Sequence, residues 1–318
     1  MRKRIPFLIL KGGMSDLMKS NAIQLTRKKR GSLHSRDGLM LIMLIAPAFL
    51  ILLVLSMGPL LHSLYTGMFD SNLSKPVKTF VGFGNYKEVL FDSYFWNALY
   101  NTFYQVFGTV GIQLIFGMVI ALLLARTFKG VKVLRALYLL PMMTTPIVVG
   151  LVWRMLFNPE LGMINYYLSK IGIIGPNWLG DPNWAMPSII LSDVWLSTPF
   201  MTMILLAGLQ TLPADPYESA EIDGANKFQT FWYITLPLLK PYIYMALLFR
   251  MMDAIKRFDT IYIMTGGGPG NKTETLNIYV YHQAFEFLKT GYAAALSNVM
   301  LLIILFISVY FLRKIQKS

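Results

Sequence analysis

The chain has 318 residues, of which 55% are hydrophobic and only 14% are charged. A water-soluble domain usually carries about 25% charged residues, so this composition excludes a soluble protein and indicates an integral membrane protein. The absence of cysteine excludes disulfides, thiolate metal sites and cysteine nucleophiles. A net charge of +13 would suit nucleic acid in a soluble protein, but here it first indicates which loops face the cytoplasm.

Six hydrophobic segments are long enough to cross about 30 Å of bilayer hydrocarbon as helices. They predict an all-α integral membrane protein with six transmembrane helices, at residues 39–61, 102–124, 134–157, 188–209, 242–264 and 290–312. The fifth segment is unusually rich in charge. Pro141 and Pro146 predict a kink in the third.

The distribution of lysine and arginine predicts the orientation of these helices. With both termini on one side, that side holds 19 of the 29 basic residues and the opposite loops hold six. The N and C termini are therefore expected in the cytoplasm, with residues 1–38 as a basic tail that suits anionic membrane lipid and 313–318 as a short second tail. This explanation of the charge leaves no need for a nucleic-acid partner. The six-helix domain is then 39–312, with a cytoplasmic loop at 210–240.

Catalytic motifs are missing from the sequence. Residues 266–273 come close to a phosphate-binding loop, but Asn271 stands where glycine is required and no strand precedes the segment. A Gly/Pro-rich turn is the better interpretation. His34, His62 and His282 lie too far apart in sequence to suggest a metal site. The sequence therefore predicts neither an enzyme nor a bound metal or cofactor.

Loop 210–240 is expected to contain two short helices. Asp215 is expected to cap the first helix, Pro216 to occupy its first turn and Gly224 to end it. A second helix is expected from Asn226 towards Pro237. Small residues between the helices permit close approach of another protein: Ser219, Ala220, Gly224 and Ala225. A surface helix-turn-helix that merely covers the membrane face explains the pattern equally well.

The same loop resembles the EAA loop of binding-protein-dependent ABC importer permeases. The resemblance is carried by Glu218-x-Ala220-x-x-Asp223-Gly224-Ala225 and then Phe231-x-x-Ile234-x-Leu236-Pro237, with Ser219 in place of the usual alanine. In that family the loop is a coupling helix that docks into a groove on an ATP-binding subunit. The resemblance implies that Glu218 pairs with a basic residue there. The expected coupling residues are Glu218, Ser219, Ala220, Asp223, Gly224 and Ala225.

Further segments are similar to the sugar-importer branch of this family, the maltose and glycerol-phosphate permeases. They include Gly82-Phe83-Gly84-Asn85-Tyr86, Thr265-Gly266-Gly267-Gly268-Pro269 and Gly291-Tyr292-Ala293-Ala294-Ala295-Leu296-Ser297. The resemblance covers residues 39–312. It implies a type I ABC importer permease fold in the bacterial inner membrane, forming half of a pore for a sugar or oligosaccharide. The implied partners are a second homologous permease, two ATP-binding subunits that use ATP and Mg²⁺, and an extracytoplasmic solute-binding protein.

Ionisable residues inside a membrane span usually face the bundle interior or water. At 100° per residue, Arg250, Asp253 and Arg257 fall within about 60° of one another on the fifth span, and Asp259 follows. Two interpretations stay open: an ion-pair network that holds two permeases together, or a polar wall of the substrate path. A cationic surplus there suits an acidic sugar. Asp193 and Trp195 on the fourth span are further candidates for the path.

A secondary transporter with Asp253 and Asp259 as proton sites is the alternative from another class. It predicts uptake driven by a proton gradient without an ATPase, and it leaves the EAA-like loop unexplained. The sequence does not specify which sugar is carried.

Overall fold

The computed structural model describes residues 36–74 and 78–317, with side chains from Met43 onward. The predicted basic tail up to residue 35, with its expected contact with lipid, lies outside the described residues. The helices are α1 (Arg36–Thr66), α2 (Gly84–Phe91), α3 (Ser93–Leu124), α4 (Val131–Tyr138), α5 (Pro146–Leu156), α6 (Met163–Lys170), α7 (Ala185–Thr211), α8 (Asp215–Ile222), α9 (Lys227–Thr230), α10 (Leu236–Ile255), α11 (Asp259–Met264), α12 (Leu276–Tyr281) and α13 (Thr290–Ile315).

Short irregular elements connect some of these helices. In the described residues the only strands are β1 (Phe69–Asp70) and β2 (Thr79–Phe80), an antiparallel pair with Phe69 opposite Phe80. A 3₁₀ turn lies at Pro141–Met143, and π-helical turns lie at Phe231–Thr235 and His282–Glu286. The all-α prediction is therefore confirmed.

Five helical segments of the described chain are long and apolar enough to cross a membrane, and six if one bent pair counts as a single span. The bent pair is Val131–Met143 with Pro146–Leu156, which meet at 89°. Pro146 starts α5 and Pro141 starts the 3₁₀ turn, so the kink predicted from these prolines is confirmed, although the third span is broken rather than gently bent.

The bounds predicted for the fifth span are wrong. The helix begins at Lys227, runs through the π-helical turn into α10, and ends at Ile255 rather than at 264. Asp259–Met264 is a separate short helix, α11. The amide of Asn277 donates to the carbonyl of Lys256 at 2.7 Å, so a side chain from a distant segment satisfies the backbone where the helix stops.

Contacts divide the chain after Leu61 into two units. The described part of the first unit is helical and apolar, with Pro47 inside the helix. The second unit contains everything from His62 onward, and its largest hydrophobic cluster joins α3, α7 and α10, through Val106, Met118, Met201, Leu205, Leu239 and Met251.

Glycines allow α3 and α7 to approach closely. A Cβ added at Gly117 would lie 2.8 Å from Cγ of Met201, and one at Gly108 would lie 2.8 Å from Cδ1 of Ile190. Close backbone approach at small residues is a usual way for helices to associate in a bilayer, where the hydrophobic effect does not drive one apolar helix against another. These contacts hold α7 close against α3.

A carboxylate at the start of α3 joins three helices at one end of the bundle. Asp92 caps α3 by accepting from the amide of Tyr94, and it also accepts from the hydroxyls of Tyr279 on α12 and Tyr292 on α13. Burial would raise the pKa of Asp92, but these hydrogen bonds and the nearby charge of Lys289 hold it below its ordinary value. The ionised carboxylate therefore stabilises this junction.

Candidate functional site

The first helix of loop 210–240 is α8. Its N-cap is Ala214, which has no capping side chain, so the prediction that Asp215 caps the helix is wrong. Pro216 occupies the first turn as predicted. Asp215 and Glu218 both lie in that turn, where the helix dipole favours negative charge. A helix that starts with two acids stays stable without a side-chain cap.

The end of α8 is a Schellman motif centred on Gly224. Gly224 has φ +73°; its amide donates to the carbonyl of Glu221 at 3.1 Å, and the amide of Ala225 donates to the carbonyl of Ala220 at 2.9 Å. This confirms that Gly224 ends the helix. A Cβ built on Gly224 would meet no atom within 4 Å, so this position is open to a partner.

The remaining predicted coupling residues differ in exposure. Glu218, Ser219 and Asp223 are exposed, and Ala225 is half-buried. Ala220 is buried. The exposed face of the turn therefore carries two acids and small residues, as the loop motif implies, while Ala220 supports the turn from inside.

The second predicted helix is the first part of the long helix that becomes α10. Asn226 and Gln229 form a capping box, with bonds of 2.8 and 2.9 Å between each side chain and the other's amide. The hydroxyl of Tyr217 on α8 donates to Oγ1 of Thr235 at 3.2 Å. The loop is thus attached directly to the fifth span.

An open groove of about 820 Å³ lies between this loop and the end of α3. It is lined by Leu122, Arg126, Tyr217, Glu221, Ala225, Lys227, Phe228, Thr230, Phe231 and Thr235. Phe228 is 72% exposed, which leaves an aromatic side chain on the surface beside charged ones. Such a mixture of one exposed aromatic anchor and a polar rim is typical of protein docking surfaces.

A second site is a buried cluster of two arginines and two aspartates. Nη2 of Arg250 lies 3.3 Å from Oδ2 of Asp193, and Nη1 lies 2.5 Å from Oδ2 of Asp253. Nη2 of Arg257 lies 3.1 Å from Oδ1 of Asp193 and 2.7 Å from Oδ2 of Asp253. Each cation contacts both anions, so the cluster is neutral, as burial of charge in a membrane protein requires.

Polar neighbours complete this cluster. Arg250 Nε donates to Oε1 of Gln113 at 2.9 Å, and the Gln113 amide donates to the backbone carbonyl of Asp193 at 3.0 Å. Ser197 donates to Oδ1 of Asp193 at 3.2 Å. Gln113 and Ser197 were not predicted from the sequence. The available signal was a polar side chain in an otherwise apolar span, which is costly unless it is paired.

A cavity of about 420 Å³ lies against the cluster and is lined in part by Ser197, Phe200, Phe249, Asp253, Lys256 and Arg257. The side chain of Asp253 is 54% exposed, whereas those of Arg250 and Asp193 are 3% and 1% exposed. One side of the cluster, at Arg250 and Asp193, is therefore shielded from solvent and holds α7 to α10. The other side, at Asp253, is open to the cavity.

Two predicted path residues lie outside this site. Asp259 is exposed on α11, because the helix breaks between Ile255 and Asp259 and the 100° periodicity does not continue. Trp195 does not line the cavity; it packs edge-to-face against Trp153 at 6.1 Å. Across residues 36–74 and 78–317, no group of three or more acidic or histidine side chains is placed to hold a metal ion.

Ionisable residues buried inside a bundle of membrane-spanning helices usually mark a substrate or ion pathway, so the fold and the ion-pair cluster together indicate a membrane transport component. Residues 113–317 match the model of the family described as "Binding-protein-dependent transport system inner membrane component". The chain belongs to this family of ABC importer permeases. Members are inner-membrane permease subunits rather than enzymes, and their ATPase activity lies in a separate subunit.

Similar curated proteins include sugar permeases. The chain is 38% identical over 281 residues to the sulfoquinovosyl glycerol transport system permease protein SmoG of Agrobacterium fabrum, covering 88% of this chain and 91% of that protein. It is 37% identical to the trehalose/maltose permease MalF of Thermococcus litoralis, covering 85% and 92%. It is 33% identical to the trehalose permease SugA of Mycobacterium tuberculosis H37Rv, covering 80% and 81%.

The fold agrees with a solved structure of a bacterial ABC transporter involved in the import of the acidic polysaccharide alginate. The TM-score is 0.73 at 23% identity, with 89% of this chain and 96% of that chain covered. The prediction of a carbohydrate-type ABC importer permease with the corresponding fold is therefore confirmed. The alternative, a proton-driven secondary transporter, does not agree with membership of this family.

Proposed function

We propose that this chain forms half of the pore of a sugar importer, beside a second homologous permease. Two ATP-binding subunits supply the energy with ATP and Mg²⁺, and an extracytoplasmic binding protein delivers the solute. The sugar-named relatives, each matched over more than four fifths of its length, support this assignment. Both termini and loop 210–240 face the cytoplasm, as the charge asymmetry indicates.

Loop 210–240 docks on an ATP-binding subunit. The observation that carries this proposal is the exposed Schellman turn at Gly224, with Glu218 and Asp223 exposed beside it. The Tyr217–Thr235 bond and the continuous helix from Lys227 to Ile255 would transmit movement of the docked loop. Since ATP favours the closed pair of ATPase subunits, it would shift the pore towards its outward-open state.

The Arg250 and Arg257 cluster has a role within one chain rather than between two. All four charges come from α7 and the α10 end of the same permease, so the cluster holds these elements together. Its open side, with Asp253 facing the cavity, forms a polar wall of the substrate path. Of the two interpretations of the sequence, this proposal keeps the polar wall of the substrate path and replaces the lock between two permeases with an ion-pair network within one.

The solute we propose is a disaccharide of the trehalose or maltose type. Two of the three relatives above carry these sugars in their names. Because Arg250 and Arg257 are both paired with aspartate, the expected cationic surplus at the cavity reduces to Lys256. That single ammonium group favours an acidic sugar as the second candidate, so a uronate disaccharide belongs in the same uptake assay.

Substitution of Gly224 tests the docking proposal with a matched pair of variants. Both asparagine and aspartate tolerate the left-handed conformation better than other residues with side chains, and they have nearly the same size. Gly224→Asp should abolish ATP-driven uptake in proteoliposomes, because it inserts a solvated charge into the docked contact. Gly224→Asn should retain most of the uptake. Normal uptake by Gly224→Asp, with the variant still assembled in its complex, would contradict docking through this turn.

A further inference from the structure

Four aromatic side chains form a continuous strip on α11 and the residue before it, on α12, and on the π-helical turn after α12. The strip consists of Phe258, Tyr262, Tyr281 and Phe285. Phe258 stacks on Tyr262 with ring centroids 5.1 Å apart, and Tyr281 lies 5.1 Å from Phe258, 5.0 Å from Tyr262 and 5.2 Å from Phe285. Helical spacing places Tyr262 four residues after Phe258, and Phe285 four residues after Tyr281.

The strip is open to its surroundings and carries hydroxyl groups. Tyr262 is 37% exposed and Phe285 is 68% exposed. The hydroxyl oxygens of Tyr262 and Tyr281 lie 3.4 Å apart. Their hydrogen bond, together with the charge of Glu286, raises the pKa of Tyr281, so this phenol stays neutral near pH 7 and remains able to donate.

Charged and amide groups border the strip. Lys256 is exposed at one end, Glu286 is exposed at the other, and Asn277 donates to the carbonyl of Lys256. Exposed charges at both ends are incompatible with hydrocarbon, so the strip faces water or a polar molecule rather than lipid acyl chains. The exposed pair Tyr100 and Tyr104 on α3, stacked at 6.3 Å, provides a comparison outside the strip.

Along the chain, the strip starts directly after residues that line the cavity beside the ion-pair cluster. Lys256 and Arg257 line that cavity, and Phe258 is the next residue of the chain. A pyranose ring has apolar C–H faces and a polar rim of hydroxyls, which matches aromatic faces bordered by phenol, amide and charged groups. A lipid or a wholly apolar protein surface would leave these polar groups unpaired.

We propose that the aromatic strip is a binding surface for sugar rings, which guides a disaccharide to the cavity beside Arg257. This inference rests on the proposed function, since it places a second sugar contact in front of the polar path. Stacking would be the main attraction, and the phenols and the neighbouring amide would orient the hydroxyls of the sugar. Such a surface binds several related disaccharides without a strict fit.

The test uses the full complex, with its companion permease, ATPase and binding protein, in proteoliposomes. The probes are ¹⁴C-labelled trehalose and maltose, and ATP hydrolysis stimulated by the loaded binding protein is measured in the same vesicles. The combined variant Tyr262→Leu with Tyr281→Leu should lower maximal uptake by about two- to tenfold, the usual range for loss of aromatic contacts. Tyr281→Phe, which keeps the aromatic ring, should lose less uptake than Tyr281→Leu. Stimulated ATP hydrolysis should persist.

The control is Tyr100→Leu with Tyr104→Leu, which removes an exposed aromatic pair elsewhere and should leave uptake unchanged. Unchanged uptake by the double strip variant would overturn the proposal, and so would an equal loss in the control. Loss of the companion permease from the purified strip variant would show an interface between proteins and would also overturn it. If the unaltered complex carries neither sugar with ATP, the proposed function itself fails, which is a distinct result.

Discussion

Asp193 is the residue on which the buried cluster depends, because it contacts both arginines and is almost completely buried. Removing one member of a buried ion pair leaves an uncompensated charge, which costs far more than removing both members. The sequence suggested Asp193 only as a weaker candidate, since nothing in the fourth span indicates that its side chain meets residues some 60 positions later.

A double-mutant cycle tests this cluster. Asp193→Asn should lower the free energy of unfolding by about 3–5 kcal/mol. The double variant Asp193→Asn with Arg250→Gln should lose less of the free energy of unfolding than Asp193→Asn alone, because Arg257 and Asp253 remain as a balanced pair. Thermal unfolding of the purified complex measures both. Asp259→Asn, on an exposed residue outside the cluster, serves as the control and should change stability by less than about 0.5 kcal/mol. Arg250→Gln alone completes the cycle, and purely additive effects of Asp193→Asn and Arg250→Gln would contradict the cluster.

Asp92 gives a prediction with a defined pH dependence. Its pKa in the folded protein is lowered from 3.8, so its contribution to stability is present above the unfolded pKa and is lost as pH falls through the folded pKa. Asp92→Asn should therefore destabilise the protein at pH 7 by about 1–2 kcal/mol, allowing for partial exposure. The difference from the unaltered protein should shrink below about pH 4. Equal differences at pH 7 and pH 3.5 would contradict this role.

At the scale of elements, the close approach of α3 and α7 can be tested by two substitutions in one helix. Gly117→Leu should destabilise the bundle by about 1–3 kcal/mol, because the new side chain meets Met201. Gly111→Leu, at a position with no atom within 4 Å of a built Cβ, should be tolerated. Thermal unfolding in detergent compares the two. A larger loss of stability from Gly111→Leu than from Gly117→Leu would contradict this packing of α3 on α7.

Local chemistry made several elements predictable. Gly224 ends α8 because glycine adopts a left-handed conformation without strain, and Pro141 and Pro146 break the third span because proline lacks an amide hydrogen. The end of α10 at Ile255 was not predictable in this way. No glycine or proline follows it before Gly266, and the helix stops where Asn277, distant in sequence, donates to the carbonyl of Lys256.

In the candidate site too, local relationships were predictable from the sequence, whereas contacts between distant segments were not. Spacing on one helix correctly grouped Arg250, Asp253 and Arg257, since that relationship is local. The contacts with Asp193 and Gln113 depend on how α3, α7 and α10 pack, which no periodicity encodes. The helix break also removed Asp259 from the group that the sequence suggested.

At the scale of the whole molecule, one long helix connects the two candidate sites. The segment Lys227–Ile255 has 29 residues, and at 1.5 Å per residue it spans about 44 Å. One end is attached to the docking loop through Tyr217 and Thr235, and the other carries Arg250 and Asp253. Movement of the loop by an ATP-binding subunit is therefore expected to reach the cavity through one continuous helix.

The central claim is that this permease imports sugar only when an ATPase drives it. The most direct measurement is uptake of labelled trehalose and maltose by proteoliposomes containing the purified complex, with a protonophore present. We expect uptake that requires the binding protein and requires ATP on the side of loop 210–240, and that the protonophore leaves unchanged. Uptake by this chain alone under a proton gradient, without ATP or an ATPase, would contradict the account.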